Sequence, residues 1–457
     1  MRFILIFLLV VCVSNYALAK ITDKQLQFKA DPVLTVSAKE IVKTKKVEKA
    51  KKVEKVKKVE KVLPSYEVTL LFAGDAMQHA AQFKSAYNPV SKLYEYNNNF
   101  TYFEPIIKQA DIAVVNLETT LGGAPYKAFP QFSSPDSFAK QLQSSGFDVL
   151  MLANNHSNDS WQRGVNKTIN TLDKMGIKHS GTYKSKIQHD KNTPLMIQKN
   201  GLNLAFLNYT FATNGIKSVF KEQTKLISFK QMRKDIQKAK SNKADSIIVY
   251  IHWGEEYKTQ PSQYQKDVTA FLIKSKVDLI IGSHPHVIQP MIWQKSTDKT
   301  DEYLVAYSLG NFISNQRNLQ QAGGALLQVT LKKEGSKTSI QSAGYYLSFV
   351  DRPKSDSGAK HQVLPVRLFE RQVHGLKWDQ YGMLLKYAVW ASDFLKANNQ
   401  NVYEYKLQNE KWSLTETPAV TVASTTLPTT VPKTTAPKTT VSKEIAATQK
   451  SVEANSK

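Results

Sequence analysis

Five short apolar runs in this chain end in polar clusters whose side chains are of metal-ligand type. VTLLFA ends in Gly74-Asp75, IAVV in Asn116-Leu117-Glu118, VLMLA in Asn154-Asn155-His156, IIVYI in His252-Trp253-Gly254, and VDLIIGS in His284-Pro285-His286. Open α/β sheets gather ligands at the carboxyl ends of their strands, so five such ends can converge on one crevice although they lie far apart in sequence. An Asp, a Glu, an Asn and three His form a coherent set of oxygen and imidazole donors.

Helical periodicity alternates with these runs. WQRGVNKTINTLDKMG places Val165, Ile169, Leu172 and Met175 on one helical face, with Gly176 placed to end the helix. LNLAFLNYT then reads as a buried strand, and QYQKDVTAFLIKSK puts Tyr264, Val268, Phe271 and Leu272 on one face before VDLII. A later strand, YLVAYSL, runs into Gly310-Asn311-Phe312, and YGMLLKYAVWASDFLKA reads as a helix in a C-terminal extension packed on the main domain. The order strand, helix, strand predicts an α/β fold of layered sheets flanked by helices.

The two ends have a different character. Residues 1 to 19 begin with Arg2, continue through FILIFLLVVCV and close on Ala17-Leu18-Ala19, the pattern of a secretory signal peptide. A retained membrane anchor is the competing reading, although the apolar run is short for a span. Cys12 follows Leu-Val-Val rather than a small residue, so cleavage is expected rather than lipidation. It is the only cysteine, which leaves the mature chain without a disulfide or a thiolate ligand.

Residues 20–64 contain a low-complexity arm in which KKVEK recurs three times at a spacing of six. Over 43–62 it holds ten Lys and three Glu, and a six-residue period forms no continuous apolar stripe. It reads as a solvated tether for an anionic polymer or for lipid headgroups at a membrane surface, or as a spacer. Residues 416–457, rich in Thr, Pro and Lys, are too polar to form a core and are expected to be disordered.

The formal net charge is +24, and the body between the tails remains basic. A polyanionic partner is therefore expected. No aromatic-and-glycine RNA signature, zinc-finger spacing or dinucleotide loop is present, and nucleic acid is not the expected partner of an exported chain.

Six motifs in fixed order, GDAMQHA, VVNLETTLGG, ANNHSND, HWGEEY, GSHPHV and SLGNF, resemble the CapA family of poly-γ-glutamate capsule synthesis proteins. That family is similar to the calcineurin-like metallophosphoesterases. The resemblance covers residues 65–352 and extends over 353–415; it does not reach the arm or the tail. It implies a metallophosphoesterase-like fold and an exported protein of the periplasm or cell envelope. Its partner would be an anionic envelope polymer or the precursor of one.

The resemblance also implies two divalent ions, with Mn, Fe, Zn and Mg not distinguished by the donor set. One would take Asp75, Glu118 and His286, and the other Glu118, Asn155, His252 and His284, with Glu118 bridging. A hydroxide held between the ions would be the nucleophile, acting on a phosphoester or a γ-glutamyl bond, and His156 would protonate the leaving group. Asn116 would position Glu118, Asn154 would support its loop, and Asp159 would fix the His156 tautomer. Trp253 would wall the pocket, Glu255 and Glu256 would be supporting acids or would recognise an ammonium group, and Tyr209, Asn214 and Asn311 would stand nearby.

The chain departs from the wider superfamily at Met77, where a His ligand is usual; His79 is then either a substitute ligand or a residue facing substrate. That departure keeps a second reading open, a non-catalytic envelope protein that guides a polyanion. A TIM-barrel hydrolase would carry its His-x-His near the first strand, whereas His284-Pro285-His286 comes late.

Overall fold

A computed structural model describes residues 64–296, 302–352, 360–371 and 376–414. The signal segment, the Lys-rich arm through residue 63 and the Thr/Pro tail lie outside the described residues. Among those described, ten strands form one sheet and six form another.

The first sheet is built around Ser65–Ala76, which pairs in parallel with Ile112–Leu117; Val149–Met151 and Lys178–Ser180 continue the parallel order to one edge. On its other side Ser65–Ala76 pairs antiparallel with Gly323–Glu334, which pairs with Lys337–Asp351. The second sheet runs in parallel through Leu202–Thr210, Ser246–His252, Leu279–Ser283 and Tyr303–Ala306, with antiparallel strands at both edges.

Alternation along the strands explains how the sheets stack. Leu70 and Phe72 join Ile248, Tyr250, Leu279 and Ile281 in one buried cluster between the sheets. Their neighbours Leu71 and Ala73 turn to the opposite face, where Asp136–Ser144 and Trp161–Met175 supply Phe138, Leu142, Val165, Ile169 and Leu172. Val249, Ile251 and Ile280 turn outward from the second sheet and meet Met232 and Ile236 of Phe229–Ser241, and Val268 and Leu272 of Gln263–Lys274. Period-2 strands with both faces apolar must be covered on both sides, so the layers run helix, sheet, sheet, helix.

The helix Trp161–Met175 ends at Gly176, whose φ of 70° caps it in the left-handed region. In Gln263–Lys274 the expected face is correct for Val268 and Leu272, but Tyr264 is 47% exposed. A tyrosine in the first turn keeps its hydroxyl in water without loss. The C-terminal extension is mixed rather than purely helical. Gln362–Pro365 and Tyr403–Gln408 both pair with Lys337–Asp351, and Trp378–Asn398 lays Leu384, Tyr387, Ala391 and Leu395 against the inter-sheet core.

Candidate metal centre

The two sheets place their parallel strands so that the carboxyl ends meet at one side of the sandwich. Asp75 is the last residue but one of the first strand, and its backbone N–H donates to Gly310 O at 3.0 Å. That approach explains Gly74: a Cβ there would lie 1.9 Å from Gly310 O. Glu118 follows Ile112–Leu117 directly, His252 is the last residue of its strand, and His284 and His286 follow Leu279–Ser283. The backbone at His284 and His286 has φ of 101° and 57°, values that non-glycine residues seldom adopt and that surrounding contacts must enforce.

Asp75, Glu118, Asn155, His252, His284 and His286 are all buried, and the structure brings all six together. Ligand atoms of Asp75, Glu118 and His286 lie within 4.8 Å of one another, and so do those of Glu118, His252 and His284. Glu118 is common to both groups: its Oε1 lies 3.6 Å from His252 Nε2 and 3.8 Å from His286 Nε2. Asn155 Oδ1 is 2.9 Å from His252 Nε2, which puts it with the second group.

A net of hydrogen bonds holds these donors. Asn116 Nδ2 donates to Asp75 Oδ1 at 2.8 Å, and Asn154 Nδ2 donates to Asn116 Oδ1 at 3.1 Å and to Leu117 O at 2.8 Å. His286 Nδ1 is 3.1 Å from Asp75 Oδ2. Asn311 Nδ2 donates to the His286 carbonyl at 3.3 Å and to Gln321 O at 3.0 Å, so Asn311 anchors the His286 loop. Ser283 Oγ, 2.9 Å from His252 Nδ1, orients that ring from behind.

Burial is the leading influence on the charges of this site. Burial, reinforced by the neighbouring Asp75 charge, pushes the Glu118 carboxyl well above its ordinary value. Burial also opposes ionisation of Asp75, but hydrogen bonding and attraction from His286 outweigh it and hold Asp75 low. Burial lowers His284 to about 4 and takes His252 well below its usual value, so both imidazoles are neutral and free to ligate. Glu118 Oε1 and His284 Nδ1 are buried without a hydrogen-bond partner among the described residues. A buried carboxylate oxygen and two neutral imidazoles facing each other are what a divalent cation satisfies, so the residues present fit the metal.

His156 stands at the edge of this set with Nδ1 at 2.6 Å from Asp159 Oδ2. Asn214, on an exposed loop, places Nδ2 3.4 Å from the same ring nitrogen. Both Glu255 and Glu256 are exposed; Glu256 groups with His284 and His286, whereas Glu255 joins none of the candidate ligand groups. Although Glu256 reaches the surface, desolvation of its carboxyl beside the centre opposes its charge, and the imidazoles of His286 and His284 reverse that effect and hold it below the ordinary value.

Three expectations are corrected. Tyr209 does not face the site: its hydroxyl donates to Asp235 Oδ2 at 2.8 Å behind the second sheet, where Lys225 Nζ also meets Asp235 at 2.7 Å. The side chain alternates away from Asn208, which takes the inward position. Trp253 is core rather than pocket wall, with Nε1 donating to Tyr307 O at 2.9 Å. His79 joins none of the ligand groups, so it does not replace the ligand missing at Met77, which is itself buried.

Aromatic rings supply the walls that the sequence did not reveal. Phe132 meets the His156 ring at 4.5 Å between centroids, Phe211 meets His284 at 4.4 Å, and Tyr257 meets His286 at 6.2 Å. Each comes from a different loop and no periodicity marks it; of the three, Tyr257 alone lies in a quoted motif, HWGEEY, without having been singled out. Ser283, which orients His252, was not singled out either, although it lies inside the GSHPHV motif.

The chain is 28% identical over 283 residues to "Capsule biosynthesis protein CapA" of Bacillus anthracis, covering 59% of this chain and 65% of that protein. It is 29% identical over 247 residues to "PGA biosynthesis protein CapA" of Bacillus subtilis (strain 168), covering 52% and 62%. The match thus spans less than two thirds of either relative. Among solved structures, the calcineurin-like phosphoesterase YfkN from Bacillus subtilis aligns with a TM-score of 0.38 at 12% identity, over 72% of this chain and 98% of that one. The NAD nucleotidase NadN of Haemophilus influenzae aligns with 0.39 at 14% identity, over 76% and 65%. The family described as "Bacterial capsule synthesis protein PGA_cap" matches residues 69–316, more than half of the chain, and the protein belongs to that family.

Proposed function

We propose that this chain is an exported envelope protein of capsule biosynthesis that cleaves or transfers a phosphoester or γ-glutamyl bond at a centre of two divalent ions. The observation that carries this reading is Glu118 Oε1, buried without a hydrogen-bond partner among the described residues, 3.6 Å from His252 Nε2 and 3.8 Å from His286 Nε2. One ion would be held by Asp75, Glu118 and His286, and the other by Glu118, Asn155, His252 and His284. When bound, the ions would supply Lewis acidity and neutralise developing negative charge.

The chain's own residues supply the rest. Asp159 accepts from His156 Nδ1, which fixes the ring so that Nε2 is the atom that gives a proton to the leaving group. Phe132, Phe211 and Tyr257 pack against the imidazoles of His156, His284 and His286, which lowers the polarity around those rings. Asn116 and Asn154 keep Asp75 in place through the two linked amides.

The substrate in this reading is an anionic envelope polymer or its precursor, consistent with the formal charge of +24. The Lys-rich arm would add affinity for an anionic membrane surface or polymer; deletion of residues 43–62 weakens retention on anionic vesicles if so, and unchanged retention makes it a spacer. The second reading, a non-catalytic polymer guide, draws on Met77 standing where a ligand is usual.

Purified full-length protein with added Mn, Zn or Mg, assayed on phosphomonoester, phosphodiester and γ-glutamyl substrates beside His284→Ala, separates the two. Metal-dependent turnover abolished in the variant supports the enzyme. Polymer binding without metal and without turnover by the wild type supports the guide.

A further inference from the structure

His79 follows the first strand and caps the helix Ala80–Ala86. Its backbone N–H donates to Gln82 Oε1 at 2.7 Å, and Gln82 Nε2 donates to Met77 O at 2.9 Å, so the Gln82 amide has one orientation. Two contacts then compete at Nδ1 of His79. The backbone N–H of Asn315 lies at 3.3 Å and Gln82 Oε1 at 3.2 Å, and they require opposite tautomers.

The Asn315 N–H can only donate. If Nδ1 carried the proton, two donors would face each other and the backbone group would go unpaired. Gln82 Oε1 already accepts the shorter bond from the His79 backbone, so it loses little when Nδ1 presents a lone pair. An unpaired backbone donor costs more than one long neutral hydrogen bond contributes. Nδ1 therefore accepts, and the ring proton sits on Nε2, which has no partner among the described residues.

The ring lies beside the metal centre. It stands edge-on to Phe132 with centroids 5.4 Å apart, and Phe132 stands edge-on to His156 at 4.5 Å. One buried phenyl ring is thus flanked by two imidazoles whose tautomers are set differently. At His156 a carboxylate holds Nδ1–H, leaving Nε2 able to gain and lose a proton. At His79 a fixed backbone donor occupies Nδ1, and a second proton there would break that bond. Burial acts the same way, lowering His79 to about 4 although the contact with Gln82 acts in the other direction, with the nearby His286 and His156 adding repulsion; His361, outside the site, is repelled by His79 in turn.

We propose that His79 is a permanently neutral hydrogen-bond donor that positions an anionic oxygen of the substrate through Nε2–H, while His156 alone moves the proton. The proposal rests on the hydrolytic reading above for its substrate, but its central claim about the ring does not.

The test uses the full chain, loaded with Mg and carrying 15N-labelled imidazoles, in long-range 1H–15N spectra. The expected result is an Nε2–H tautomer for His79 that does not titrate between about pH 5 and 8, where an ordinary histidine does. The Nδ1–H tautomer, or a titration in that range, overturns it. Inorganic phosphate serves as the probe of binding. It should shift the His79 Nε2–H resonance, and His79→Leu should weaken phosphate binding about tenfold, the loss expected for one hydrogen bond to a charged group. His79→Gln, which keeps a donor, should recover most of that loss, with metal content equal in all three proteins. Phosphate affinity unchanged in His79→Leu, or metal lost from it, contradicts the proposal. Where phosphate binds as described and no substrate turns over, the hydrolytic reading fails and the role of His79 as an anion donor stands.

Discussion

Asp159 Oδ2 stands 2.6 Å from Nδ1 of His156, and both side chains are buried. The same oxygen accepts the Phe132 N–H at 2.6 Å, so the carboxylate cannot swing away from the ring. Asp159→Asn should therefore lower kcat about 10- to 100-fold, the usual cost of losing a carboxylate that orients a histidine. His156→Ala should cost about 10²- to 10⁴-fold. Metal content, measured alongside, is expected to stay unchanged in both. A loss of metal in step with kcat would move this pair into ligation instead.

Glu118 gives the second prediction. Its carboxyl group is buried beside Asp75 with one oxygen unpartnered among the described residues, so without metal it weakens the fold. Glu118→Gln should make the metal-free protein more stable by about 1–3 kcal/mol in chemical denaturation, the scale of one buried unsatisfied group. The same variant should lose the rise in Tm that added Mn gives the wild type. A metal-free variant less stable than the wild type would argue that Glu118 is already satisfied.

At Gly74 the backbone of the first strand touches the segment at Gly310. Because a Cβ would lie 1.9 Å from Gly310 O, Gly74→Ala must push the Asp75 segment away from the Gly310 loop. The expected cost is about 1–3 kcal/mol of stability, the range for overpacking. Metal affinity should fall at the same time. Calorimetric titration of the variant that gives wild-type affinity would show that the Asp75 position tolerates the shift.

Much of this was legible before the structure, and the boundary is physical. Strand ends and ligand types are local features, so Asp75, Glu118, Asn155, His252, His284 and His286 could be read from short runs and their terminal clusters. The side-chain direction one residue inside a strand end was harder. Tyr209 sits one residue inside the end of its strand and Trp253 one residue past the end of another, and both turn toward the helix face, where Asp235 and Tyr307 satisfy their polar atoms. Phe132 and Phe211 sit in loops whose course depends on tertiary contacts, and no periodic signal identifies them. The strands of the C-terminal extension were missed for a similar reason. Gln362–Pro365 is short and gains its partner only because Lys337–Asp351 offers an edge.

Away from the site, Asp278 predicts a pH dependence. Burial raises its carboxyl to about 6 from an ordinary 3.8, against hydrogen bonds from Ile247 N–H and the Ser246 hydroxyl that act the other way. A group raised in the folded state stabilises fully below its unfolded value, and that contribution is lost as pH rises through its folded value. Wild-type stability should thus fall, relative to Asp278→Asn, between about pH 4 and 6. Two pKa units correspond to no more than about 3 kcal/mol. Urea denaturation of the two proteins at the ends of that range measures the difference, and parallel curves would contradict the assignment.

The most direct test of the metal centre is the stoichiometry of divalent ions bound to the purified full-length chain, measured by elemental analysis after equilibration with Mn or Zn. We expect about two ions per chain in the wild type and a marked loss in Glu118→Gln, since that residue belongs to both ligand groups. A wild type that retains no ion, or a Glu118→Gln variant that retains both, would contradict the account.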